Sequence, residues 1–221
     1  MAALGAPAIS KLRRPFTIMA LLAVLAIAPV QVRAQTQAQA PSNAPQAAPT
    51  LPSHNDPNLR GRDRILSELF DRLAKAEDEE EAKGVAGAIE RVFLRSGSDT
   101  ADLLMSRALS SVRQREFKTA TELLDKLVVV EPEWAEAWNQ RATARYRADD
   151  VQGAVADLGQ VLVLEPRHFG ALSALGYILY SNGFDRRALD VMRKTLEIYP
   201  KQEDVRKLVE QLGQKIDGRD L

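Results

Sequence analysis

Residues 131–140 read EPEWAEAWNQ and residues 165–174 read EPRHFGALSA. A Glu-Pro pair opens each stretch, at Glu131-Pro132 and again at Glu165-Pro166. Pro132, Pro166 and Pro200 are evenly spaced, and the same interval separates Ala120, Ala154 and Ala188, and Ala108, Ala142 and Gly176. Val130-Glu131-Pro132 matches Leu164-Glu165-Pro166, with Tyr199-Pro200 as a weaker third copy. From Leu59 onward the apolar residues recur with helical periodicity, without hairpin signals and without proline inside the expected helices. A fixed period with small residues at fixed offsets marks an all-α repeat array in which each unit is one helix pair. The first stretch also holds the chain's two tryptophans, Trp134 and Trp138. They are either a recognition site or pegs of a repeated core, and the repetition favours pegs.

The pattern resembles the tetratricopeptide (TPR) repeat residue by residue. In the unit 135–168, Trp138 falls on the motif's first aromatic and Ala142 on its first small residue. Ala154 falls on its second small residue, Leu158 and Val161 on the second-helix core, and Pro166 on the closing proline. Leu172, Gly176, Gly183, Ala188 and Pro200 take the corresponding places in 169–202, and Leu104, Ala108, Ala120, Leu124, Leu127 and Pro132 do so in 101–134. The resemblance implies a right-handed solenoid of antiparallel helix pairs. Counting back one period gives Phe70, Ala74, Ala86 and Phe93, with Ser98 where a proline would stand, so 59–98 reads as a degenerate N-terminal repeat. Asp78 to Glu81 would open its second helix, where negative charge suits the helix dipole. Residues 203–221 read as a capping helix and tail, with Val205, Leu208 and Leu212 on one face.

Physics explains why such units need one another. Small residues at Ala142 and Ala154 let two backbones approach, and Trp138 and Leu158 fill the space beside them. One unit cannot bury its own apolar face, so neighbours must. The prolines stop one helix and orient the next. Asn182-Gly183 supplies a turn within the last unit. Trp138 is expected as a core peg, with a truncation to Ala costing about 3–5 kcal/mol. Trp134, one period before His168, is expected to pack over the junction.

The N-terminal segment 1–34 differs from the rest. Lys11, Arg13 and Arg14 precede an uninterrupted apolar run from Phe16 to Ala28, which Pro29 breaks. Val32-Arg33-Ala34 offers a small-residue cleavage site, so 1–34 reads as a secretory signal peptide cut after Ala34. The alternative, a retained anchor, would need a longer run of about 20 apolar residues. Residues 35–58, rich in Gln, Ala, Pro, Ser and Asn, read as a disordered linker. Removing the leader lowers the basic count from 30 to 26 against 30 acids, a net charge of −4. That balance disfavours nucleic acid and docking on anionic lipid, leaving the leader as the only membrane contact. There is no cysteine, hence no disulfide and no thiolate metal site. The expected compartment is the bacterial periplasm.

Catalytic constellations are missing from the sequence. Only two histidines are present, His54 and His168, and no Walker, Rossmann or G-x-S-x-G pattern occurs. The expectation is a protein without enzymatic activity, cofactor, metal or small-molecule substrate. In the resembled fold the first helix of each unit lines a concave groove, where positions two, five, nine and twelve face a ligand. Here these are Asp102, Met105, Leu109 and Val112, then Glu136, Asn139, Thr143 and Tyr146, then Gly170, Ser173, Tyr177 and Tyr180. Candidate partner-binding residues are Asn139, Thr143, Tyr146, Tyr177, Tyr180 and Met105, with Arg113 and Arg147 at the groove edge. Tyrosine rings supply area and hydroxyls supply hydrogen bonds to a protein or peptide partner. For Tyr146 and Tyr180 an inter-repeat core position is the alternative, because many TPR units carry an aromatic one place earlier, where Arg145 and Leu179 stand. The family's clamp for C-terminal carboxylates needs Lys and Arg inside the groove, which this chain lacks there. A scaffold of the bacterial envelope is the resulting expectation, with a self-associating assembly factor as the alternative.

Overall fold

The computed structural model describes residues 57–218. The expected leader, all but the last two residues of the expected linker, and residues 219–221 lie outside that span. Among the described residues the regular elements are all helices: α1 (Pro57–Lys75), α2 (Glu79–Phe93), α3 (Asp99–Arg113), α4 (Phe117–Val130), α5 (Ala135–Arg147), α6 (Val151–Leu164), α7 (Phe169–Ser181), α8 (Asp185–Ile198) and α9 (Glu203–Asp217). α1 takes the last two positions of the expected linker, because Pro57 suits a first helical residue, where no backbone N–H is required.

The period of the sequence is visible in the backbone. α5, α7 and α9 begin at Ala135, Phe169 and Glu203, and α4, α6 and α8 begin at Phe117, Val151 and Asp185. The expected capping helix thus stands in register with the first helices of the preceding units. Each junction between units closes with the same turn: Trp134 N–H donates to Glu131 O, His168 N–H to Glu165 O and Gln202 N–H to Tyr199 O. Within each unit the turn between helices also repeats. Arg115, Asp149 and Gly183, spaced by one period, have φ of 62°, 64° and 78°. Only Gly183 meets that left-handed backbone without a Cβ clash.

The small residues sit where the helices approach most closely. Ala108, Ala120, Ala154 and Ala188 are fully buried and Ala142 nearly so. At Gly176 an added Cβ would stand 2.7 Å from Met192 Cε, so a larger partner across the helix pair is matched by a smaller residue. The apolar core runs as separate clusters at successive contacts between neighbours, as a stack of units requires. In the middle unit one core position is ionic. Arg141 donates Nε to Asp157 Oδ2 at 2.8 Å and Nη2 to Oδ1 at 2.7 Å, and Nη1 reaches Asp125 at 3.0 Å. Arg145 joins the same Asp157 carboxylate at 3.0 Å. Hydrogen bonding to Asp157 holds the Arg141 guanidinium above its ordinary value. Arg145 thus stands where many units carry an aromatic, and here it pairs with Asp157.

The N-terminal hairpin does not pack as a first unit of the stack. Its apolar cluster joins Leu66, Phe70, Leu73, Val85, Ile89 and Phe93 to Phe169 and Tyr199 of the third unit and contains no residue of α3. The segment expected as a degenerate repeat, 59–98, is a helical hairpin laid across the junctions, and of the counted-back positions Phe70, Ala86 and Phe93 are buried while Ala74 is not. Leu73 is fully buried where Ala74, the expected small position, is exposed. Asp78 does open α2, accepting the N–H of Glu81 at 2.8 Å.

The ranking of the tryptophans reverses. Trp134 is 4% exposed, and its indole Nε1–H donates to Phe93 O at 2.7 Å, while Trp138 is half-buried, with its indole bonded to Pro132 O at 2.9 Å. The Arg141 guanidinium lies 4.6 Å from the Trp138 ring centre. Trp138 is a shared surface peg, and Trp134 is the buried anchor.

Two stability changes follow. Ala154→Leu should cost about 1–3 kcal/mol by overpacking the helix contact. Gly183→Ala should cost about 1–2 kcal/mol by forcing a Cβ into the left-handed turn. Urea denaturation followed by circular dichroism measures both, and Asp149→Gly should show no loss.

Candidate functional site

The residues expected to face a ligand stand on α3, α5 and α7. Four of the sequence-derived candidates, Thr143, Tyr146, Arg147 and Tyr177, converge on a pocket of 320 Å³. Its other lining residues are Ala142, Leu158, Ala174 and Ile178, so aliphatic carbons make the floor and rings make the walls. Tyr146 is 43% and Tyr177 36% exposed, so both rings stand at the surface of the stack. Such a pocket suits one apolar side chain, with hydroxyls and a guanidinium at its rim for polar contacts.

The remaining candidates divide. Tyr180 is exposed but stands outside this pocket, with Lys215 Nζ 5.9 Å from its ring centre. Asn139 is half-buried and its amide donates to Glu136 Oε1 at 3.2 Å. Met105 is 2% exposed and belongs to the core cluster of the first unit, so it offers a partner little more than an edge. Arg113 lines a second cavity, of 200 Å³, with Leu94, Arg95, Asp102, Met105, Ser106 and Leu109. Four candidates thus share one pocket, Arg113 and the buried Met105 line another, and Asn139 and Tyr180 line neither.

Besides Met105, two other residues expected in the groove are buried. Glu136 pairs with His168 at 3.0 Å (Oε2 to Nε2), and Ser173 Oγ donates to Phe169 O at 2.8 Å. His168 Nδ1 accepts the N–H of Ala171 at 3.1 Å, which leaves Nε2 as the ring's donor toward Glu136. The ring thereby caps α7 and stacks on Phe93 with centroids 4.6 Å apart. Glu136 therefore lies beside the N-terminal hairpin, not open to a ligand.

One contributor escaped the sequence reading. Tyr177 Oη donates to Asp204 Oδ2 at 3.0 Å, tying α7 to α9 at the pocket rim. Asp204 stands one period after Gly170, so carrying the count one unit further would have found it. Burial pushes the Tyr177 phenol up to about 12, aided by the hydrogen bond to Asp204 and the charge of that carboxylate. Among the described residues no His, Asp and Glu cluster is arranged to hold a metal ion, and no helix is long and apolar enough to cross a membrane.

A solenoid of regularly repeated helix pairs with small residues at the helix contacts is the TPR class of protein. No protein-family profile matches the chain. A TPR repeat-containing protein of Rhizobium etli is 34% identical over 153 residues, covering 69% of this chain and 75% of the relative. The chain belongs to the TPR repeat-containing proteins. Among solved structures, MamA is similar in fold, with a TM-score of 0.51 and 20% identity, covering 73% of this chain and 86% of that one. The first TPR domain of Spaghetti, bound to an HSP90 peptide, gives a TM-score of 0.50 and 18% identity, covering 53% of this chain and 93% of that one.

The tyrosine–aspartate bond gives a spectroscopic prediction. Absorbance titration near 295 nm should show an ionisation at about 12 that Tyr177→Phe removes and Asp204→Asn moves down toward the ordinary value of about 10. Because the folded-state value is raised, the stability Tyr177 contributes is complete below pH 10 and is lost as pH climbs toward 12.

Proposed function

We propose that this chain is a non-enzymatic scaffold that binds an extended or helical peptide segment of a partner protein in its concave groove. The carrying observation is the pocket between Tyr146 and Tyr177, apolar in its floor and polar at its rim. That composition matches the anchors through which interfaces concentrate their binding energy. The peptide bound by the Spaghetti domain supports this use of the fold. Thr143, Arg147 and Tyr180 extend the surface, while Arg113 marks its far end. Asn139 is a secondary contact, since its amide is already committed to Glu136.

We further propose that the scaffold works in the bacterial envelope, exported by a leader cut after Ala34. The basic start, the apolar run from Phe16 to Ala28 and the small-residue site support this. A tagged full chain should appear in the periplasmic fraction with Gln35 as its first residue by mass spectrometry; a cytoplasmic chain that keeps Met1 contradicts export.

The groove is tested by capturing partners from envelope extract with wild-type and Tyr146→Ala/Tyr177→Ala protein. Loss of two ring anchors should weaken capture at least ~10-fold while the urea midpoint stays close to wild type. Undiminished capture by the double variant removes the groove from the account. A second reading, self-association, is favoured by the strongly exposed Val129, Val130 and Val163. Light scattering decides it: a monomer at high concentration excludes this role.

A further inference from the structure

The repeats carry a second docking face besides the groove, and it is occupied by the chain's own N-terminal hairpin. α2 has 15 residues and at 1.5 Å per residue runs about 22 Å. Its C-terminal end reaches the first two junctions. Phe93 accepts the indole N–H of Trp134 through its carbonyl and stacks its ring on His168. That carbonyl is one of the four at a helix C-terminus that have no partner within the helix, so the indole satisfies a group burial would otherwise leave unpaired. The N-terminal end reaches the third junction. Glu79 and Lys83 share a cavity with Tyr199, Gln202, Glu203, Asp204 and Lys207. α1 adds a further tie at the second junction, where the Arg167 guanidinium lies 4.4 Å from the Phe70 ring centre.

A solenoid changes shape by small rotations between successive units, and the junctions absorb those rotations. A stiff helix fastened to three junctions in a row opposes them. We propose that α1–α2 is an intramolecular clasp. It fixes the angles between the units and with them the width of the pocket between Tyr146 and Tyr177. The third junction leads directly into Asp204, which holds the Tyr177 hydroxyl, so the clasp and the groove meet at α9. The clasp's effect on ligands rests on the groove reading above; its effect on shape does not.

The chain has no cysteine, which makes a distance measurement direct. In the full chain, Glu122→Cys and Glu210→Cys, both at exposed positions on α4 and α9, carry spin labels for pulsed dipolar spectroscopy. Two changes loosen the clasp independently: Trp134→Phe, which keeps a ring but removes the donor, and Arg167→Ala, which removes a surface cation. Hydrogen exchange should show α1 and α2 amides about 10-fold faster in Trp134→Phe, with α6 unchanged. The label distance should change from one narrow distribution to a broad one in both variants. Unchanged exchange in α1–α2 overturns the clasp as a separable element. Faster exchange with an unchanged distance overturns its control of curvature. Both results leave the groove reading standing, because neither measurement involves a partner. Loss of capture in Tyr146→Ala/Tyr177→Ala with intact clasp behaviour supports both; retained capture there removes the groove alone.

Discussion

The structure depends on how closely its helices can approach. At Ala108, Ala120, Ala142, Ala154, Gly176 and Ala188 the side chains are too small to hold the backbones apart, and the neighbouring Leu124, Leu158 and Met192 fill the space this leaves. The close contact fixes each helix pair and exposes one apolar face, which only the next pair can cover. Stability is thereby passed along the chain from unit to unit. Among the described residues the last helix is α9, whose buried Val205, Leu208, Leu212 and Ile216 cover the third pair while its other face is polar.

Stacking by itself leaves the junctions as the compliant parts. Here each junction presents large or aromatic groups, Trp134, His168, Phe169 and Tyr199, along one edge, and the hairpin covers them. This arrangement explains a set of buried polar groups that the groove does not use. Glu136 and His168 satisfy one another, while Gln140 and Asn139 donate to the other oxygen of Glu136. Burial also raises the Glu90 carboxyl on the hairpin above its ordinary range, with the nearby Glu136 charge adding to it. The edge is an interface in its own right.

Much of this was legible in the residues. The repeat period locates α4 through α9, the small contacts, the repeated turns and four residues of the pocket. These features are local or recur at fixed offsets, and a fixed offset is what a sequence displays. The hairpin was not legible in this way. Its partners Phe169 and Tyr199 lie several repeat units further along the chain, and no periodic signal records a contact of that separation. Counting back by one period finds the buried Phe70, Ala86 and Phe93 but not their contacts with the third unit, and it puts a small contact at Ala74, which is exposed. The tryptophans are misranked for the same reason. Trp138 occupies a motif position, whereas Trp134 packs into the core cluster of the first unit and bonds to the carbonyl of Phe93, far earlier in the chain. Met105 and Glu136 are lost to the groove because a position count gives the direction of a side chain without what is packed over it.

The central claim is that the N-terminal hairpin lies across the repeat junctions and that Trp134 fastens it there. The chain has two tryptophans, so its proton–nitrogen spectrum contains two indole resonances. The account predicts that one of them, Trp134, exchanges slowly with solvent and shows nuclear Overhauser contacts to Phe93 at the end of α2, while Trp138 exchanges readily. Rapid exchange of both indoles, or contacts from Trp134 to α3 and α4 with none to Phe93, would contradict it.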